Sequence, residues 1–289
     1  MERVKLGKTG IEISKLGIGS GTAHPSGYCA QALMDTKELA ELLLFAFERG
    51  VNFWDTAFQY GTYPHIREAL KKVKRSEVVI ATKLTTSHEK DTIRDFEISL
   101  RELNVDYLDV CLLHGVRTGH ELKTRFNALE TLLEFKRKGK VRAVGLSAHG
   151  LSALKSVTQI PEIDVVWARV NFSGLCMDPC RHGLYDKLAS VSWIKNSVRR
   201  FLPKKIIASV RPVPESQMIS PDERKEVEDT LSIIHTQSKG VVGMKVLAEG
   251  HLRDEAQRAL RYVRGLPFVD SSIIGMLNKD EIEENCRAF

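Results

Sequence analysis

Asp55, Tyr60, Lys83 and His114 are of types that could work together on a proton. The stretch VNFWDTAFQYG, residues 51–61, ends a short apolar run on Asp55 and brings Tyr60 five residues later, beside a glycine. VVIATK closes on Lys83 and LDVCLLH on His114. Reducing a carbonyl by hydride requires a proton for the developing alkoxide. A phenol, ordinarily of pKa about 10, serves well near neutrality only if that value is lowered. An adjacent ammonium favours the phenolate, and a carboxylate keeps that ammonium in place. Tyr60 is therefore expected as the general acid/base, with Lys83 and Asp55 tuning it downward and His114 orienting the carbonyl.

The elements that would position these groups alternate. After a hairpin (VKL, the turn GKTG, then IEI), short apolar runs end near Ser20, Asp55, Lys83, His114, Ser147, Asn171 and Lys245. Between them lie segments with apolar residues at helical spacing, among them TKELAELLLFAFERG, TIRDFEISLRELN and ELKTRFNALETLLEFKRKGK. The succession predicts eight strand–helix units and a (β/α)8 TIM barrel, one domain over residues 1–289. The strand ends of such a barrel form one ring, and polar groups that end buried strands converge there. GIGSGT, residues 17–22, has the look of a dinucleotide fingerprint but is followed by AHPSG rather than a helix, so a Rossmann unit is excluded. The glycines of that stretch are expected instead to let the chain pass close to a flat ring at the mouth of the barrel, with Gly19 and Ser20 among the cofactor contacts. The sixth unit carries a long basic insert, about residues 172–220, with a short helix expected near SVSWIKNSVRRF. It is read as a substrate lid or a contact between subunits of a homo-oligomer.

Composition narrows the function classes. With 43% hydrophobic and 28% charged residues, the chain has the make-up of a globular enzyme. No run reaches the ~20 apolar residues of a membrane span and the N-terminus lacks an apolar leader core, so a cytoplasmic protein without membrane partners is expected. A net charge of +6 without a basic face interleaved with aromatics argues against nucleic acid. The five cysteines are an odd number at scattered positions, and CMDPC lacks the partners of a metal site. They are read as free thiols, with no metal.

Taken together, these stretches resemble the aldo-keto reductase family over nearly the whole chain. KLGKTGIEISKLGIGSGT is similar to its N-terminal hairpin and first strand, GVNFWDTAFQYG to its aspartate–tyrosine motif, VVIATK and LDVCLLH to its lysine and histidine strands, and SSIIGMLNKDEIEEN to its last strand and adenosine segment. The resemblance implies an NADPH- or NADH-dependent oxidoreductase that interconverts a small carbonyl and its alcohol, with Asp55, Tyr60, Lys83 and His114 as catalytic tetrad. It further implies that Ser147 bonds the nicotinamide carboxamide. The usual asparagine partner is Ala148 here, so that contact passes to His149 or Arg169, and the sixth-strand glutamine is replaced by Trp167 while Asn171 remains. Lys245, Leu247 and Gly250 match the pyrophosphate loop, and Glu284 and Asn285 the adenine pair. Where many NADPH-preferring members hold a 2′-phosphate with basic or hydroxyl groups, this chain has Gly275, Met276 and Glu281, which leans it toward NADH or dual use. Lys279 could partly compensate. The basic insert suggests a polar or anionic carbonyl. Two other readings stay open: a non-catalytic cofactor sensor on the same fold, and a Schiff-base aldolase using Lys83.

Overall fold

The computed structural model describes residues 1–22, 29–178 and 218–289. A short antiparallel hairpin, β1 (Arg3–Lys5) and β2 (Glu12–Ser14), precedes a closed barrel of parallel strands. These are β3 (Leu16–Gly19), β4 (Phe53–Asp55), β5 (Val79–Leu84), β6 (Leu108–Val116), β7 (Val141–Ala148), β8 (Val165–Arg169), β9 (Gly240–Met244) and β10 (Ser271–Gly275), and β10 pairs back onto β3. The helices around them are α1 (Thr36–Glu48), α2 (Tyr63–Leu70), α3 (Glu89–Leu103), α4 (Gly119–Thr124), α5 (Phe126–Arg137), α6 (Leu151–Val157), α7 (Pro221–Thr236), α8 (Ala256–Arg264) and α9 (Lys279–Ala288). The (β/α)8 barrel expected from the alternation is thus observed. The helix expected over residues 190–201, and most of the insert of about 172–220 read as a lid or subunit contact, fall on residues 179–217, outside the described residues.

Alternation along each strand decides what reaches the site. Phe53, Ala81, Leu112, Ala143, Val165 and Trp167 share a buried cluster inside the barrel, while Trp54, Ile80, Leu113, Val144 and Val166 pack outward against the helices. Side chains two residues apart share a face. Asp55 therefore follows Phe53 inward, Lys83 follows Ala81, His114 follows Leu112, Ser147 follows Ala143 by two steps and Arg169 follows Trp167. Leu6, Ile11 and Ile13 of the hairpin are buried in the same interior cluster and close its N-terminal end. The polar strand ends lie at the opposite, C-terminal end.

That closed end is stapled. At or just before the start of β4, β6, β8 and β10, a side-chain oxygen accepts the backbone N–H of the preceding unit: Asn52 from Ser14 (2.7 Å), Asp109 from Ile80, Asp164 from Val144 and Asp270 from Val241 (2.9 Å each). Asp109 is buried and also holds Arg75 at 2.6 Å and Arg142 at 2.8 Å. Removing such a carboxylate leaves its donors unmatched. An Asp109→Ala variant is expected to lose about 3 kcal/mol of stability, seen as a lower denaturant midpoint at unchanged slope; a shift below a few tenths of a kcal/mol would show the staple to be idle.

One departure from the sequence reading has a local cause. ELKTRFNALETLLEFKRKGK reads as one helix but is divided into α4 and α5 at Arg125, whose φ of −106° and ψ of 14° leave the helical region. Its guanidinium turns inward to three strand-end carbonyls: Nε to Thr86 O (2.9 Å), Nη2 to Leu84 O and Nη1 to His114 O (2.8 Å each). Three charged hydrogen bonds to backbone carbonyls outweigh one interrupted helical turn.

Candidate active site

Lys83 and Asp55 form the buried centre. Lys83 Nζ donates to Asp55 Oδ2 at 2.5 Å and to Thr56 O at 2.8 Å, and the two residues are 2% and 5% exposed. Burial pushes the Asp55 carboxyl up and the Lys83 ammonium down, each opposed by the other's charge. The second carboxylate oxygen is also filled: Trp167 Nε1 donates to Asp55 Oδ1 at 2.9 Å from across the barrel. The Trp167 indole thus forms a fully buried floor beneath the pair and holds its carboxylate in one orientation. With two of its three donors engaged, Lys83 is built as a held ammonium rather than an open amine nucleophile.

Tyr60 is carried to this centre by a 3-10 turn, Phe58–Tyr60, which Gly61 ends at φ 76°. Its ring lies with the centroid 5.3 Å from Lys83 Nζ, and its hydroxyl is 3.4 Å from His114 Nε2. Gly21 runs against the other side of the ring. A Cβ there would stand 2.3 Å from Tyr60 Cε2, so only glycine admits the phenol in this pose. Beneath the turn, Ser20 Oγ donates to Asp55 O at 3.1 Å and pairs with Thr62 Oγ1 at 2.8 Å, which in turn meets Thr56 Oγ1 at 2.9 Å.

The expected lowering of the Tyr60 pKa is corrected. Burial first, and the Asp55 charge second, hold the phenol well above its ordinary value. The Lys83 ammonium is matched by a carboxylate 2.5 Å away, so the phenol faces a nearly neutral pair in a dry setting. Tyr60 is therefore stocked with its proton at neutral pH, the state an acid needs.

His114 is aimed from several sides. Arg125 anchors its carbonyl, Gln59 Nε2 meets its Nδ1, and its ring stands edge-on to both Tyr60 (centroids 5.6 Å) and His149 (6.2 Å). Arg169, 7% exposed at the end of β8, donates from Nη2 to His149 Nδ1 at 3.0 Å and from Nη1 to Cys176 O at 2.5 Å. Burial, reinforced by the neighbouring Arg169 charge, keeps the His149 pKa well below the ordinary histidine value.

Several expected cofactor residues carry donors of the kind a carboxamide or pyrophosphate requires. Ser147 Oγ accepts from Gly115 N–H at 2.9 Å and gives its own proton to no described residue. Lys245, Ala248 and Glu249 adopt positive φ (58°, 45° and 59°) ahead of Gly250, making a strained turn through Leu247 at the end of β9. Lys245 Nζ there meets Glu249 at 3.1 Å. Asn285 is buried in α9 without a side-chain hydrogen bond to a described residue, whereas Glu284 is exposed. These residues fit a dinucleotide along the rim from β7 to α9.

Others are absorbed by the protein itself. Asn171 donates to Leu175 O and Lys245 O and accepts from Ser173 and Gly174, which ties its loop together. Gly19 and Gly275 leave room for Ile273 and Thr22, and Met276 is fully buried. Glu281 accepts from Leu277 N–H at 2.8 Å as part of the α9 cap and meets Arg253 Nη2 at 3.4 Å, while Lys279 turns away over the Phe45 ring. Gly21 is one of the GIGSGT glycines expected to pass a flat ring, and the ring it meets is that of Tyr60, whereas Gln59 and Arg125 are neighbours of the site that the sequence reading omits. Arg125 alone left a signal there, a charged residue on the apolar side of a helical repeat.

The profile of the Aldo/keto reductase family matches residues 15–289. The NADH-specific methylglyoxal reductase of Escherichia coli (strain K12) is 26% identical over 62% of this chain and 61% of its own length, and the L-galactose dehydrogenase of Arabidopsis thaliana is 24% identical over 98% and 86%. A Glycine max relative at 28% identity is matched over 52% of its length, so this chain spans only half to three fifths of two of these relatives. Among solved structures, the aldo-keto reductase from Klebsiella pneumoniae in complex with NADPH covers 100% of this chain over 90% of its own, at 18% identity and a TM-score of 0.66, a likeness of fold. Among the described residues, no helix is long and apolar enough to cross a membrane.

Proposed function

The chain belongs to the aldo/keto reductase family, and we propose that it reduces a small aldehyde or ketone to an alcohol with NADH or NADPH, and runs the reverse oxidation. The observation that carries this reading is the packing of the Tyr60 hydroxyl 3.4 Å from His114 Nε2, with its ring against a Lys83 ammonium held by Asp55. A carbonyl oxygen placed between Tyr60 and His114 accepts a hydrogen bond from each. The reduced nicotinamide, when bound, supplies the hydride that attacks the carbonyl carbon. As negative charge grows on the oxygen, Tyr60 transfers its proton there and Lys83 steadies the phenolate left behind. Asp55 and Trp167 keep Lys83 from shifting, and Ser147 and the Lys245–Gly250 turn would hold the cofactor.

The test is a titration with NADH and NADPH followed by cofactor oxidation over a panel of aldehydes, ketones and sugars. Saturable binding and turnover support the reading, and failure to bind either cofactor overturns it. Binding without turnover would point to the sensor, and borohydride trapping on Lys83 to the aldolase.

For the cofactor, the lean to NADH or dual use rests on Glu281, whose carboxylate accepts from Leu277 N–H at the α9 cap and is read as the group that faces the ribose. A Glu281→Gln change removes that charge while keeping an acceptor for the cap. It is expected to raise the ratio of kcat/KM with NADPH over NADH by about tenfold, the equivalent of ~1.4 kcal/mol; an unchanged ratio would remove Glu281 from cofactor choice.

A further inference from the structure

Arg169 is a buried cation at the mouth of the barrel with donors to give. Of its guanidinium groups, Nη1 is bonded to Cys176 O and Nη2 to His149 Nδ1, while Nε is buried with no hydrogen-bond partner among the described residues. Its nearest carboxylate, Glu249, lies 3.9 Å from Nη2, beyond hydrogen-bond reach, and is closer to Lys245 at 3.1 Å. Burying a charge with an unfilled donor is unfavourable, and the arrangement is relieved by an anion. The contact to His149 adds a second consequence. A guanidinium only donates, so His149 Nδ1 must accept and the ring proton of the neutral histidine sits on Nε2. His149 thus presents an N–H beside His114, with the two rings 6.2 Å apart. Tyr60 and His114 stand on one side of that spacing, Arg169 and His149 on the other.

We propose that this pair is the anion-recognition end of the substrate pocket, and that the preferred substrates are oxo acids whose carboxylate is bound by Arg169 and His149 while the carbonyl, a few carbons away, lies between Tyr60 and His114. The inference rests on the carbonyl reductase reading and names its substrate class. It assigns Arg169 to the substrate rather than to the nicotinamide carboxamide. A charge-assisted hydrogen bond to carboxylate contributes roughly 1.5–3 kcal/mol, or about 10- to 150-fold in selectivity.

The experiment compares succinic semialdehyde with its methyl ester, two aldehydes of the same chain length of which the ester replaces the far-end carboxylate with a neutral group. Wild type is expected to favour the acid in kcat/KM by at least about tenfold, chiefly through KM. Arg169→Met and His149→Phe should each lower kcat/KM for the acid at least about tenfold more than for the ester, bringing the two toward parity, while the dissociation constant for reduced cofactor, read by fluorescence titration, stays within about threefold. Arg169→Lys should retain part of the preference for the acid. Equal use of acid and ester by wild type, which needs no variant to fold, would overturn the proposal. So would an Arg169→Met protein that loses cofactor affinity and both substrates in parallel, since that would place Arg169 on the cofactor. Failure to turn over any carbonyl despite cofactor binding would instead overturn the reductase reading on which the inference stands.

Discussion

A Tyr60→Phe variant is expected to bind reduced cofactor as the parent does and to lose turnover by about 10³-fold, within the range for removal of a general acid. The ring stays: Phe keeps the contact with Gly21 and the cation beneath its face, so the loss isolates the hydroxyl. The pH dependence follows from the direction of the phenol's shift. Burial and the Asp55 charge raise its pKa, so the protonated form persists through neutrality and is lost only above the raised value. Reduction, which uses that form, should hold flat across neutral pH and fall only in strongly alkaline solution. Oxidation, which needs the phenolate, should rise steadily with pH over the same range. Cofactor binding moves charge into the site and can displace both limbs, but not exchange their order. A reduction rate that falls through pH 6–8 as one group deprotonates, or near-normal turnover in Tyr60→Phe, would assign the acid elsewhere.

The part of this site that is legible in the sequence is the part governed by period. Asp55, Lys83 and His114 each end an apolar run, and two-residue alternation in a closed barrel turns three strand ends into one inward cluster. Tyr60 follows because Gly61 stops its turn beside the same rim. What could not be read depends on contacts across the barrel. The indole of Trp167 reaches an oxygen 112 residues earlier in the chain, and nothing local to either residue announces it. For Gly21 the glycine run is legible as a passage beside a flat ring, but that the ring is Tyr60, from the loop after β4, is not. The upward direction of the Tyr60 shift is hidden from the sequence for a related reason. Residue types say that an ammonium and a carboxylate are present, but the sign at the phenol depends on how closely they cancel and how dry the site is, and both are set by packing.

Lys83→Met should be nearly inactive and unstable for separable reasons. Without the ammonium, Asp55 is an uncompensated charge in a buried setting, which costs about 3–5 kcal/mol in comparable cases, and turnover should fall by about 10²- to 10⁴-fold as the phenolate loses its cation. Adding Asp55→Asn removes the stranded charge while Asn Oδ1 can still accept from Trp167 Nε1, the bond that spans the barrel at 2.9 Å. The double variant is therefore expected to recover roughly 2 kcal/mol of the lost stability, a coupling typical of residues in direct contact, and to recover none of the turnover. Chemical denaturation and steady-state rates on the same samples decide the matter. If the double variant is no more stable than Lys83→Met, the pair is not energetically coupled and the geometry at 2.5 Å is misleading. If stability and turnover return together, Lys83 acts by holding the fold, and the proton chemistry assigned to it through Tyr60 must be given to another cation, of which Arg169 is one whose charge favours the Tyr60 phenolate.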